Sequence, residues 1–201
     1  MSIINLNNEP ILDQRSVIER KSDSCRTDFG KNVRLIGARI VLADNSELIV
    51  GDNVILRGFI SISSGCTVII GSRTKCNFPI NMIVSEGTKL TVGEECLFSD
   101  ASFYTSDTHS IFDRATGLKI NLPSDIYIGD RVWMGRKSWA MKGAYIGTDV
   151  VVAAGAMVTG EIPSYSICAG VPARVIKDNI LWCGERVDVI PDRLLSKLVK
   201  G

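Results

Sequence analysis

The chain carries a single histidine, His109. It lies in the stretch SDTHSIFD, with Asp107 shortly before it and Asp113 shortly after. Imidazole titrates near neutrality, so it can accept a proton without carrying a permanent charge, as a general base must. Such a base works best when its second ring nitrogen is held by an acceptor. Asp107, Asp113 and a backbone carbonyl are all candidates, and spacing does not choose among them. A lone histidine is more often structural or solvated than catalytic. His109 stands out because it sits where an otherwise regular pattern breaks.

That pattern has a period of six. Stepping from Ile128 gives Met134, Ala140, Ile146, Val152 and Val158, all apolar. Stepping from Val132 gives Ser138, Ala144, Val150, Ala156 and Ile162, all apolar or small. Six is neither a helical nor a heptad period; it is the hexapeptide repeat of a parallel β-helix. Each hexapeptide supplies a short strand and a corner, and three make a triangular coil of about 18 residues. The large aliphatic residue points into the prism and the small one sits near a corner. Glycine corners recur as IGD at 128–130 and IGT at 146–148. Earlier and less regular versions are VGDNV at 50–54, IGSRT at 70–74 and VGEEC at 92–96. The intervals from Gly51 to Gly71 and on to Gly93 are 20 and 22 residues, so some residues bulge outward. Between 103 and 125 the period is lost, and this stretch is expected to be a loop thrown out from the prism. Long loops in compact repeats are usually functional.

Residues 1–30 lack the period and are expected to form an extension or cap, with a short helix over 11–21. The domain proper is expected over 31–177. The tail, 178–201, leaves the period and predicts a helix from Pro191, with proline in its first turn. Such ends would cap a solenoid whose terminal coils expose core and strand edges.

Composition narrows the function. The chain has 201 residues, a formal charge of +1 and 45% hydrophobic residues, enough for a packed domain. There is no clustered basic face for nucleic acid and no apolar run long enough to span a membrane. The first residues lack a basic region followed by an apolar one, so a cytoplasmic protein is expected. The cysteines at 25, 66, 76, 96, 168 and 183 have no CxxC spacing and read as small buried hydrophobes.

Three stretches, TSDTHSIFD, IGDRVWMG and VVAAGAMVTGEIPSYSICAGVPARVIK, resemble the hexapeptide acyltransferases. The likeness is to the sugar O-acetyltransferases that modify galactosides, maltose and surface polysaccharides, and it covers about residues 31–177. The resemblance implies an all-β, left-handed parallel β-helix and an acetyl-CoA-dependent transfer to a sugar hydroxyl. In that mechanism His109 is the general base, and no covalent enzyme intermediate forms. A backbone amide just after the W-x-G corner, of Gly135 or Arg136, stabilises the oxyanion. Trp133 lies beside the site, as a wall for donor or acceptor or as a packing aromatic. Ala154, Gly155, Thr159, Arg174 and Lys177 match the family's coenzyme-A positions, the last two facing its phosphates. No metal is implied. A homotrimer with active sites between subunits is.

This chain also departs from its relatives. Gly160 replaces a basic residue common in the family. Residues 136–142 are bulky, and Trp139 is expected to point outward onto an acceptor groove or a neighbouring subunit. The compact helical N-terminus of galactoside and maltose enzymes is not apparent, which favours a polysaccharide or its precursor as acceptor. N-acylation of an amino sugar, a xenobiotic acceptor and a non-catalytic scaffold stay open as alternatives. A three-histidine zinc site is excluded by the histidine count.

Overall fold

The computed structural model describes residues 9–198. They form a left-handed parallel β-helix. Three walls are built from strands that pair from coil to coil, and the chain visits the walls in a fixed order. The first wall runs through Ile11–Leu12, the start of Arg34–Leu42, the start of Ile55–Ile62, Lys75–Cys76, Leu97–Phe98, Trp133–Met134, Val151–Val152 and Ile167–Ala169. The second runs through Val17–Arg20, the ends of the same two long strands, Ile80–Val84, Ser102–Tyr104, Trp139–Met141 and Met157–Val158. The third is a seven-stranded sheet from Arg26–Phe29 to Glu161–Ile162.

The hexapeptide pattern explains this construction. Every residue of the two registers, from Ile128 to Val158 and from Val132 to Ile162, is buried. In strands of two or three residues, one side chain enters the prism and its neighbour faces out. Each inward residue stacks on its counterpart one coil away, so burial and hydrogen bonding support one register. Cys66, Cys76, Cys96 and Cys168 fill inward positions as free thiols. Burial pushes Cys76 and Cys96 up to about 12, so neither acts as a nucleophile near neutrality.

The N-terminal part differs from expectation. Residues 11–21 hold no helix. Ile11–Leu12 and Val17–Arg20 are strands that pair parallel with Arg34–Leu42. The cause is tertiary: this segment lies along an existing strand edge, which local propensity does not report. The strands Arg34–Leu42 and Ile55–Ile62 cross a corner without breaking, which makes the early coils longer than 18 residues. Gly58 permits that crossing. Its φ is +99°, and an added Cβ would lie 2.2 Å from the Ile80 carbonyl oxygen.

At the other end, Arg174–Lys177 turns back antiparallel on Ile167–Ala169. The tail then folds over the corner between the third and first walls. Its helix, Asp192–Lys197, is a 3₁₀ helix preceded by Pro191 at the cap.

Candidate active site

The excursion begins later than the sequence suggests. Phe103 is fully buried in the core and packs on Phe98 with ring centroids 5.1 Å apart. Thr105 is buried too and accepts the Thr88 hydroxyl at 2.6 Å. The loop therefore leaves after residue 105, from the corner between the second and third walls, and returns at Ile126–Ile128.

Side chains pin it to the prism. Ser106 bonds Glu86, and Glu86 accepts Lys119 from the loop's far side at 2.8 Å. The Lys119 ammonium, then the Ser106 hydroxyl, hold the Glu86 carboxyl below its ordinary range. Asp107 accepts the Lys142 ammonium at 2.6 Å and the Asn121 amide at 2.8 Å. Lys142 is the main cause of the lowered Asp107 pKa, so Asp107 is a carboxylate at neutral pH. Buried Asn121 is the loop's clasp. Its Nδ2 also donates to the His109 carbonyl at 2.7 Å, and its Oδ1 accepts the Ile111 amide at 2.7 Å.

His109 itself is exposed, and its amide donates to the Asp107 carbonyl at 2.7 Å. Among the described residues, none is hydrogen-bonded to its imidazole. Both carboxylates considered as orienting groups have other work. Asp107 anchors the loop. Asp113 accepts the Thr116 amide at 2.7 Å and hydroxyl at 2.8 Å, closing a tight turn.

Beside the loop root, Trp139 faces outward and stacks on Tyr104 with centroids 5.5 Å apart and planes at 17°. Asn81 fixes the Tyr104 hydroxyl with a 2.6 Å bond. These aromatics, with Met141, Ser106, Asp107 and Thr108, line a groove of about 430 Å3.

A second groove, of about 470 Å3, lies at the corner between the first and second walls. Trp133, Gly135, Arg136, Phe78 and Ala154 border it. Glycine is required at 135, because a Cβ there would lie 2.7 Å from the Val152 carbonyl and 2.8 Å from the Ala154 nitrogen. The Gly135 amide donates to the Val152 carbonyl at 2.8 Å, within the ladder. It is engaged in the ladder there, whereas the Arg136 amide, the other candidate for the oxyanion, has no such ladder bond among the described residues. Arg136 lies over the Phe78 ring at 4.9 Å. Gly155 adopts φ +72° in open space, so its backbone turn, not crowding, requires glycine.

The first-wall register leads from this groove toward the end of the prism. Trp133 pairs with Val151, Val151 with Ile167, and Ile167 with Lys177. Thr159, Arg174 and Lys177 are exposed. Among the described residues, the Arg174 guanidinium donates only to its neighbour's carbonyl, at 2.8 Å. The structure thus joins Trp133, Gly135, Arg136 and Ala154 in one groove and places Trp139 against the histidine loop in another. The two grooves flank opposite edges of the second wall.

No family model matches the chain. The polysialic acid O-acetyltransferase of Escherichia coli O1:K1 / APEC is 35% identical over 139 residues, covering 68% of this chain and 45% of that protein. The polysialic acid O-acetyltransferase of Neisseria meningitidis is 29% identical over 158 residues, covering 77% and 73%. The crystal structure of the polySia-specific acetyltransferase NeuO superposes with a TM-score of 0.81 at 30% identity, covering 89% of this chain and 77% of that one.

The chain belongs to the hexapeptide-repeat acyltransferases. It spans about half the length of the curated relatives it matches first, 45% and 54%. Within this hexapeptide-repeat acyltransferase, sequence reasoning missed three residues that shape the site. Asn121 and Lys142 hold the histidine loop, and Trp182 packs on Trp133. Asn121 lies in an irregular segment, and Trp182 is distant from its partner in sequence. Neither carries a local signal.

Proposed function

We propose that this chain transfers the acetyl group of acetyl-CoA to a hydroxyl of a sugar, in a surface polysaccharide or its precursor, and does so in the cytoplasm. The observation that carries the reading is the line from the Trp133 groove to Lys177. Three pairing steps of about 4.8 Å separate them, about 14 Å of groove and wall between an apolar cleft and two exposed cations. An extended pantetheine arm suits that geometry, with its thioester near Arg136 and its phosphates near Arg174 and Lys177. Ala154, Gly155 and Thr159 border the arm and leave room for it.

On this reading, the imidazole of His109 takes the acceptor hydroxyl's proton as the oxygen attacks the thioester carbonyl. The Arg136 amide binds the developing oxyanion, a contact worth roughly 3 to 4 kcal/mol in preorganised sites. The carbon–sulfur bond then breaks, and the thiolate takes the proton back from the imidazolium. The Tyr104–Trp139 pair offers a flat apolar platform for a sugar ring next to the loop. Because His109 and Arg136 flank opposite edges of one wall, a second copy of the chain completes each site, as in a homotrimer. The names of the polysialic acid relatives favour a polymeric sialic acid acceptor.

The test is to incubate the protein with labelled acetyl-CoA and a panel of polysialic acid, other polysaccharides, a galactoside and an amino sugar. Mass spectrometry and NMR then locate the label. His109→Ala and His109→Asn are expected to lower kcat about 100-fold or more while leaving the fold intact. A loss below about fivefold on the best acceptor would remove His109 as the base.

A further inference from the structure

Trp182 belongs to the tail beyond the last coil, yet its ring centroid lies 5.9 Å from that of Trp133, with planes at 41°. Its own placement is fixed by Arg131, two residues before Trp133. The Trp182 indole N–H donates to the Arg131 carbonyl at 2.5 Å, and the Arg131 guanidinium donates to the Trp182 carbonyl at 2.6 Å. The same guanidinium lies over the indole, 5.6 Å from its centroid. Reciprocal hydrogen bonds of this kind fix both the position and the plane of a ring.

Arg131 is itself buried and held. Its Nε donates at 2.6 Å to Asp149, which is fully buried, and Lys197 of the tail donates to the other Asp149 oxygen at 2.6 Å. The tail is therefore fastened at two points to the corner that leads into the Trp133 strand. A buried charge cluster with its hydrogen bonds satisfied is hard to loosen, since losing one partner strands a charge.

Trp133 has neighbours on three sides. Leu97 and Val151 pair with it in register on adjacent coils. Trp182 lies on the side from which the chain enters, and the groove with Gly135 and Arg136 opens on the side where it leaves. Without Trp182 the exposed Trp133 ring has space to swing away from the groove.

We propose that Trp182 is a positioning residue: it backs the Trp133 indole and so fixes the wall of the acyl-donor groove. The proposal rests on the acetyltransferase reading above. It gives the C-terminal tail a role in donor binding.

The experiment compares W182A, W182F, W133A and the double variant W133A/W182A with the parent. W182A is expected to raise KM for acetyl-CoA about tenfold, with kcat and the acceptor KM within about twofold. W182F, which keeps an aromatic backstop, is expected to stay within about threefold of the parent. The double variant is expected to match W133A alone, because a residue that acts only through Trp133 adds nothing once Trp133 is gone. Near-UV circular dichroism should show the same loss of a coupled-indole signal in W182A and in W133A. If W182A does not fold, W182L replaces it. An unchanged acetyl-CoA KM in the folded variant, or losses that multiply in the double variant, would overturn the proposal while leaving the acetyltransferase reading intact. A parent protein that transfers no acetyl group to any acceptor would overturn both.

Discussion

Replacing Asn121 with alanine tests whether the histidine loop is a separable, clasped unit. The side chain is 9% exposed and makes three hydrogen bonds, to the Asp107 carboxylate, the His109 carbonyl and the Ile111 amide. At about 1 kcal/mol net for each, the clasp contributes about 3 kcal/mol. The loss is partly offset. Asp107 keeps Lys142, and the exposed His109 and Ile111 backbone groups gain water. About 2 kcal/mol remains, or roughly a thirtyfold shift toward loop conformations that misplace the imidazole. If His109 is the base, as proposed, kcat depends on its being held in place, and N121A should lower it about 10- to 30-fold. The groove proposed for the donor borders another edge of the prism, so KM for acetyl-CoA should hold. Stability should hold as well, since the ladder pairs Leu90 with Ile126 and Ser102 with Trp139 across the loop as if it were absent. The assay is steady-state kinetics alongside hydrogen exchange at the Ile111 amide. A kcat within twofold of the parent with faster Ile111 exchange would show that loop order does not govern catalysis. Unchanged exchange would show that the clasp does not order the loop.

Two further outcomes are expected. If each site is shared between subunits, inactive His109→Ala and Arg174→Ala chains, dissociated and reassembled together, should recover part of the activity; mass-verified mixed trimers without recovery would place each site in one chain. Asp13 accepts the Ser16 hydroxyl at 2.6 Å and the Gly37 amide at 3.0 Å, contacts that lower its pKa to about 2. Its folded pKa lies below its unfolded value, so its stabilisation is complete above about pH 4 and fades as the pH falls toward 2. Exchange at the Gly37 amide should accelerate over that window in the parent, and an identical acceleration in D13N would remove Asp13 as the cause.

The later coils were legible because they are nearly periodic. From Ile128 to Ile162, each six-residue step lands on a buried position, so sequence distance and geometry coincide. The early coils were not legible in the same way. Gly58 and the long strands Arg34–Leu42 and Ile55–Ile62 carry the chain across corners, and the period dissolves. The pairing partner of Val17–Arg20 lies about 20 residues away, which no local pattern reports. His109 was legible from the break around it. The groups that hold its loop were not, because Lys142 and Asn121 reach that loop's Asp107 and His109 backbone through space. Asp107 and Asp113 were legible as neighbours of the histidine, but adjacency in sequence did not reveal that one fastens the loop and the other closes a turn.

The ladder that links Trp133 to Lys177 also turns repeat number into length. Each added strand advances the wall by one fixed increment, so the span between the aromatic cleft and the terminal cations can take only discrete values. Inserting one coil between them would move the cations by a single increment and leave both local surfaces unchanged. Deleting one would shorten the span equally. A solenoid of this kind is a graduated ruler, and the distance between the two surfaces is set by counting.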